Sequence, residues 1–255
     1  VRNNTITIDA DAATKISVGI LDMQLRDEYA EATEITGNIF NVAPVSYAAV
    51  INLRQLEGTA DAPVLLANNV INLTSLNASY SAFKFNGDKI KHVNVANNTI
   101  RMTGEQGGAA FWASSKLSEG YGNVLVVNNI IQNESNGYAV NLYHDDNLAE
   151  GLFTFQNNTF YTAGETFFRA SSSTTGDFDA FVEKTGATDC INEKVNFLSD
   201  LILEPADDLE GQLLTAKPLS YVSVDVNGTE RNAETPTIGA YEYSDENEPP
   251  VLAEG

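Results

Sequence analysis

An asparagine pair that recurs about every 30 residues constrains the fold of this chain more than any other feature. The stretch VNVANNTIRM, which begins at Val93, shows the pattern of a strand-like run, two asparagines and a second strand-like run. A fixed period of this length is typical of a repeat protein. Six segments share the pattern, with spacings of 34, 31, 29, 31 and 29 residues between their second asparagines, which are Asn4, Asn38, Asn69, Asn98, Asn129 and Asn158.

The repeat is made of strands rather than helices. Val, Ile and Thr dominate the runs beside the asparagines, and Gly, Asn and Ser interrupt them every few residues, which favours short strands. A third strand-like segment follows each pair, such as AFKFNG from Ala82. Three strands in each repeat of this length make one coil, and such coils stack into a solenoid.

The asparagines suit a corner between two strands, because Asn tolerates left-handed backbone angles better than any residue except Gly. Gly37 replaces the first asparagine in one repeat and meets the same demand. In coils stacked at about 4.8 Å, equivalent asparagines can hydrogen-bond to one another as a ladder. N-glycosylation is the alternative, since NNT and NLT match its acceptor sequence, but recurrence at one structural phase favours the ladder.

Composition excludes several classes of partner. The chain has 35 acidic and 14 basic residues, a net charge of -21, which repels nucleic acid and anionic membranes. No run of about 18 apolar residues is present for membrane insertion. The single cysteine, Cys190, excludes an internal disulfide framework and a zinc-ligand cluster, and is expected to be a partly buried free thiol.

The corners NNTI, NNVI, NNII and NNTF resemble those of the right-handed parallel β-helix superfamily of pectate-lyase-like proteins, over residues 1 to about 173. Near the other end, DVNGTER (from Asp225) and IGAYEY (from Ile238) resemble the C-terminal signature of secreted or surface β-helix proteins of bacteria, Bacteroidetes-like ones especially. The resemblance implies an all-β, right-handed parallel β-helix of about six coils with a C-terminal cap. It also implies an extracellular or cell-surface location, without a signal segment in this chain.

Three regions are expected on this basis. Residues 1–173 form the coils, residues 174–245 form the C-terminal cap, and residues 246–255 form an acidic, proline-containing tail or linker. The cap region includes an amphipathic stretch, DFDAFVEKTG, which begins at Asp177. Since Val1 falls in the middle of a coil, further coils or another domain are expected upstream.

Function is expected on the outward face of the third strand, because the interior of the coils is a packed core. Alternation along the strand points one column outward, and a second column lies beside it. The first column is Asn52, Lys84, Trp112, Asn141 and Arg169, the second is Arg54, Asn86, Ser114, Tyr143 and Ser171, and the loop positions beyond them include Asp88, Lys116, His144, Asp145 and Asp146.

This face is predicted to bind a polysaccharide or another glycan. Aromatic rings stack on sugar rings, and amide or basic groups hydrogen-bond to hydroxyls and carboxylates. In the resembling enzymes the corresponding face carries the active site. Solvated columns without a ligand are the alternative. The predicted substrate-binding residues are Trp112, Asn141, Tyr143, Lys116, His144 and Asn86.

Cleavage of the glycan is a further hypothesis. A lyase would use Lys84 as the base and Arg169, with or without Ca2+, to neutralise a carboxylate. Lys84 and Lys116, with Tyr143 opposite, are a closer pair. A hydrolase would use a carboxylate pair that includes Asp145. The WIDH, GHG and RIK motifs of the resembling enzymes are absent, and the net charge favours a neutral or weakly charged glycan. The alternative is a non-catalytic structural or adhesive surface module.

Overall fold

The fold is a parallel β-solenoid followed by a segment that packs along its side. The structure, a computed structural model, describes residues 1–8, 19–24, 33–43, 49–74, 80–104, 108–206 and 214–243. The tail predicted for residues 246–255 lies outside them. In chain order the strands are β1 (Thr5–Ile8), β2 (Gly19–Gln24), β3 (Glu34–Thr36), β4 (Ile39–Val42), β5 (Ala49–Glu57), β6 (Val64–Ala67), β7 (Val70–Thr74), β8 (Ser81–Ala96), β9 (Thr99–Thr103), β10 (Ala109–Ala113), β11 (Gly122–Val127), β12 (Ile130–Asn133), β13 (Tyr138–Asn141), β14 (Phe153–Gln156), β15 (Thr159–Thr162), β16 (Phe168–Arg169), β17 (Thr175–Gly176) and β18 (Ile191–Asn192), with a short 3-10 helix, η1 (Asp145–Leu148), and one α-helix, α1 (Phe178–Thr185).

Equivalent strands of successive coils pair in parallel and form three stacks. The first stack contains β3, β6, the second half of β8, β11 and β14. The second contains β1, β4, β7, β9, β12, β15 and β18. The third contains β2, β5, the first half of β8, β10, β13 and β16.

The part of the chain that the structure describes completes five coils, from β3 to β16, while β1 and β2 belong to one more. The prediction of an all-β parallel β-helix is therefore confirmed. The predicted count of about six coils is corrected to about five, because the first repeat contributes only two of its strands to the described residues.

The coil interior is a column of apolar side chains. Phe83, Phe85 and Phe111 point inward from the third stack and are fully buried, and the rings of Phe85 and Phe111 lie 5.1 Å apart. Each such side chain contributes about 1.5–3 kcal/mol through burial. Helix α1, formed by the predicted amphipathic stretch, covers the end of this column with Phe181, whose ring lies 5.1 Å from that of Phe155.

The two asparagines of each corner have different tasks. The first adopts left-handed backbone angles, with φ of 53° at Asn68 and 51° at Asn97, and Gly37 does the same at 66°. The second, which is buried in every corner after the first, forms the ladder, because its Nδ2 donates to the Oδ1 of its equivalent in the next coil. These bonds are 2.9 Å long and link Asn4, Asn38, Asn69, Asn98, Asn129 and Asn158 in order.

A seventh corner follows the six that the repeat predicts. Thr159 pairs with Ile191 in register, which places Asp189 and Cys190 opposite the last asparagine pair. Asp189 has a left-handed φ of 54°, and the Cys190 sulfur accepts from Asn158 Nδ2 at 3.7 Å. Cys190 therefore ends the ladder.

Residues 193–206 and 214–243, called the C-terminal segment below, lie along the corners of the solenoid. The first asparagine of each of four successive corners donates its side-chain amide to a backbone carbonyl of this segment. The donor and acceptor residues are Asn157 and Thr215, Asn128 and Lys217, Asn97 and Thr237, and Asn68 and Val224, at 3.1, 2.8, 3.3 and 2.7 Å.

The DVNGTER and IGAYEY motifs meet in one buried polar cluster. Arg231 Nη1 lies 3.2 Å from Glu242 Oε2, and Asp225 accepts a hydrogen bond from the backbone N–H of Glu242 at 3.0 Å. Gly239, with φ of 91°, lies so close to the solenoid that a Cβ there would be 2.7 Å from Ile130 Cδ1. The two motifs therefore fasten the C-terminal segment to the corners.

Candidate functional site

The outward column predicted for the third strand is present as one row of residues in register. Asn52 pairs with Lys84, Lys84 with Trp112, Trp112 with Asn141, and Asn141 with Arg169. Parallel strand pairing fixes this register, so each side chain lies about 4.8 Å from the next along the stack.

Four side chains on this face form a continuous stack, called the aromatic row below: Lys84, Trp112, Tyr143 and Arg169. Lys84 Nζ lies 4.3 Å from the centre of the Trp112 ring. The Trp112 and Tyr143 rings are 6.3 Å apart and inclined at 61°, and Arg169 Cζ lies 5.5 Å from the Tyr143 ring. Two cations thus flank an edge-to-face aromatic pair, an arrangement in which ring quadrupoles attract the cations.

Both cations of the aromatic row lack an acidic partner within the described ranges. Among the described residues, eight other lysines and arginines form ion pairs, including Arg54 with Asp22 at 2.6 Å on the neighbouring column. Arg169 Nε instead donates to the Ser171 carbonyl at 3.3 Å. Burial lowers the pKa of Lys84. In a chain with a net charge of -21, two cations without carboxylates on one face are available to a ligand.

Buried polar atoms without partners also occur on this face. The indole Nε1 of Trp112 and Oδ1 of Asn52 are shielded from solvent and have no hydrogen-bond partner among the residues that the structure describes. Asn52 Nδ2, by contrast, donates to Asp22 at 3.0 Å. A buried polar group without a hydrogen-bond partner lowers the stability of a folded protein. The Asn52–Trp112 end of the column contains two such groups among the described residues.

Tyr143 stands at the exposed edge of the aromatic row, with 43% of its surface accessible. Its backbone is left-handed, with φ of 61°, and such angles are unusual for a bulky residue. The neighbouring Asn141 accepts the Tyr143 backbone N–H through Oδ1 at 3.0 Å. Asn141, which is predicted to contact substrate, is buried. Its side chain supports the turn at Tyr143.

The loop residues of the prediction lie around Tyr143. Lys116 forms an ion pair with Asp146 at 3.1 Å, the His144 ring lies 5.2 Å from the Tyr143 ring, and Asp145 is exposed at the start of η1. On the second column, Asn86 Oδ1 accepts from Ser114 Oγ at 2.9 Å.

The residues predicted for catalysis are not brought together by hydrogen bonds or ion pairs in the described part of the chain. Lys84 and Arg169 are three coil steps apart, about 14 Å along the stack, with Trp112 and Asn141 between them. Asp145 belongs to the loop after β13. Within the described ranges, no group of three or more His, Cys, Asp or Glu residues is arranged to hold a metal ion.

Sequence reasoning missed two residues of this face. Asp22 extends the outward column by one position, because it pairs in register with Asn52; its segment, SVGILD, aligns poorly with the later repeats. Asn147 is buried beneath the loops that carry Lys116 and Tyr143. The only sequence feature that points to it is its place directly after His144, Asp145 and Asp146, and nothing in the repeat identifies its role.

Two clefts lie elsewhere on the molecule. One, of about 440 Å³, is formed by the C-terminal segment over Asn97, and the other, of about 420 Å³, lies beside Arg101 and Glu134 on the second stack. Neither includes a residue of the aromatic row.

Comparisons of the chain with protein-family models, with curated proteins and with solved structures find no match. Among the described residues, none of the helices is long and apolar enough to cross a bilayer.

Proposed function

We propose that the aromatic row binds a polysaccharide or another glycan on the outward face of the third strand. The observation that carries the proposal is the Trp112–Tyr143 pair, flanked by two cations that have no carboxylate partner among the described residues. Ring faces supply apolar contact to sugar rings, while Lys84 and Arg169 supply hydrogen-bond donors to hydroxyl or carboxylate oxygens.

The dimensions of the aromatic row favour an extended ligand. Its outermost members, Lys84 and Arg169, are separated by three coil steps, about 14 Å. A single sugar cannot contact both ends, whereas an oligosaccharide lying along the stack can. A neutral or weakly charged glycan is favoured, because among the described residues of this face only two cations without a carboxylate partner oppose a net charge of -21.

Binding without cleavage is the form of the proposal that the geometry favours. A lyase needs its base and its charge-neutralising group at one sugar unit, and Lys84 and Arg169 are too far apart for that. Asp145 is exposed and borders Asp146, which is already paired with Lys116.

Membership of the pectate-lyase-like superfamily and a bacterial cell-surface or secreted location are part of the proposal. The solenoid fold and the cluster joining DVNGTER to IGAYEY support them.

A structural or adhesive module without a glycan ligand is the second candidate. It is favoured by the position of Lys84, whose ammonium group already covers one face of the Trp112 ring. In that case the aromatic row stabilises the stack by itself, and its exposed parts are solvated.

A glycan array probed with the full chain separates these candidates. The first predicts binding to a defined set of oligosaccharides and loss of that binding in the Trp112→Ala variant. Absence of binding to every glycan, or unchanged binding by the variant, would leave the structural module. Incubation with uronate polymers and Ca2+, followed by ultraviolet absorbance, and reducing-sugar assays on neutral glycans test cleavage directly.

A further inference from the structure

The turn between β13 and η1 is fastened to the neighbouring coil by one buried side chain, Asn147. Its Nδ2 donates to the carbonyls of Ser115 and Leu142 at 2.9 and 2.8 Å. Its Oδ1 accepts the backbone N–H of Leu117 at 3.1 Å. One amide therefore joins the loop after β10 to the loop after β13, and all three of its hydrogen bonds are to backbone groups.

These loops carry two residues of the candidate site: Tyr143, a member of the aromatic row, and Lys116. Lys116 lies between Ser115 and Leu117, the two residues that Asn147 holds in one loop. Tyr143 directly follows Leu142, which Asn147 holds in the other. Both side chains are thus attached to backbone that the buried amide of Asn147 holds by hydrogen bonds.

The backbone of Tyr143 needs such support. A left-handed conformation costs a residue with a side chain roughly 1–2 kcal/mol, and strain of this kind persists only where the surroundings impose it. At Tyr143 the support comes from Asn141, which accepts its N–H, and from the preceding Leu142 carbonyl, which accepts from Asn147 Nδ2 and from the His144 backbone N–H. The conformation turns the Tyr143 ring edge-on toward Trp112 and beneath Arg169.

We infer that Asn147 is a positioning residue for the aromatic row: it holds the Leu142–Asn147 turn so that Tyr143 is fixed against Trp112 before a ligand arrives. The consequence for glycan affinity rests on the function proposed above. The consequence for the Trp112–Tyr143 contact does not, because it concerns the free protein.

The only Trp of the chain, Trp112, gives a readout for the free protein. In the Asn147→Ala variant the turn loses three hydrogen bonds, so Tyr143 moves away from the indole. Collisional quenching of Trp112 fluorescence by acrylamide should rise and the emission maximum should shift. In the Asn147→Asp variant, which keeps the size but loses both donated bonds, the changes should have the same direction.

Asn133 provides the matched control. It is a buried asparagine at the end of β12 in the same coil, and its amide donates to Tyr138 at 2.9 Å and accepts from Ser135 at 3.1 Å. Asn133→Ala should lower the melting temperature as Asn147→Ala does, but leave Trp112 quenching unchanged. A purely structural role of Asn147 predicts equal effects of the two variants on both measurements, and that result would overturn the inference.

Affinity for a glycan selected on the array completes the test. Asn147→Ala should weaken binding by up to about tenfold, the cost of immobilising a loosened side chain on binding, while Asn133→Ala should bind as the unaltered chain does. If the unaltered chain binds no glycan but Asn147→Ala raises quenching, the proposed function fails and the positioning role stands. If glycan binds and neither quenching nor affinity responds to Asn147→Ala or Asn147→Asp, the positioning role fails.

Discussion

Asn129 Oδ1 accepts two hydrogen bonds from Asn98, one from its backbone N–H and one from its Nδ2, each 2.9 Å long. Asn98 Oδ1 accepts the same two bonds from Asn69. Each rung thus satisfies a backbone donor at the corner as well as a side-chain donor. Since these groups are buried and cannot reach water, the ladder is what allows a sharp corner inside a packed solenoid.

The first prediction concerns this ladder. Replacing Asn98 with Ala removes its bonds to Asn129 and Leu66, and it removes the acceptor of the Asn69 backbone N–H and of one of the two Asn69 Nδ2 bonds. The expected loss is about 3 kcal/mol or more, because each unsatisfied buried group costs about 1–3 kcal/mol. Urea unfolding followed by circular dichroism measures it.

The neighbouring Asn97→Gly variant is the control for the ladder. Glycine adopts the left-handed φ at this position without steric cost, while the side chain lost makes only long bonds: it donates to Thr237 and Gly239 at 3.3 Å and accepts from Asn128 at 3.4 Å. Its stability should change by less than about 1 kcal/mol. Equal losses for the two variants would show that the ladder position has no special role.

The second prediction concerns Cys190, whose sulfur occupies the place of an asparagine oxygen at the end of the ladder. Sulfur is a weak acceptor. The Cys190→Asn variant should therefore raise the free energy of unfolding by about 1 kcal/mol, the usual net value of one hydrogen bond. Cys190→Ala, which removes the acceptor, should lower it, and the opposite order of the two variants would contradict this interpretation.

The third prediction concerns the attachment of the C-terminal segment. Arg231 and Glu242 are almost fully buried, at 5% and 6% side-chain exposure. Arg231→Met should cost about 3–5 kcal/mol, because it leaves a buried carboxylate without its cation. The Arg231→Met, Glu242→Gln double variant should be more stable than the single variant in thermal unfolding; a double variant that is less stable would show that the charge pair is not the source of the loss.

The fourth prediction concerns pH. Burial alone would raise the pKa of Glu134, but hydrogen bonds from Lys194, Arg101 and Gln132 outweigh it and hold that pKa below its usual value. The folded state therefore prefers the ionised form. Its stabilisation is present above the unfolded pKa, about 4.3, and is lost as pH falls through the lower folded pKa.

The difference in melting temperature between the unaltered chain and the Glu134→Gln variant measures this effect. It should be largest near neutral pH and shrink in acid. A difference that does not change with pH would mean that the Glu134 charge does not stabilise the fold.

The solenoid could be predicted from sequence because its signal is repeated. Each corner needs a left-handed residue and a buried amide, so Asn97 and Asn98 show both demands in one motif. Alternation then gave the outward column from Lys84 to Arg169, since strand periodicity leaves only two faces. The corner at Asp189 and Cys190 was missed because neither residue is asparagine, although both meet the same backbone demand.

The details of the candidate site were harder to predict because they depend on loops. Asn141 carries the right chemistry for a ligand, and it also accepts the backbone N–H of Tyr143 at the turn, a role that strand alternation does not reveal. Asn147 lies outside the strand alternation, and its three backbone partners come from two coils. Such contacts are set by the stacking of loops and leave no periodic trace in the sequence.

Titration of the chain with a glycan selected on the array, followed by Trp112 fluorescence, tests the central claim most directly. Tyr143 and Tyr221 are almost equally exposed, at 43% and 42%, but only Tyr143 belongs to the aromatic row. Tyr143→Ala should weaken binding at least about tenfold, equivalent to about 1.4 kcal/mol, while Tyr221→Ala should bind as the unaltered chain does. Equal affinity of all three proteins would contradict glycan binding at the aromatic row.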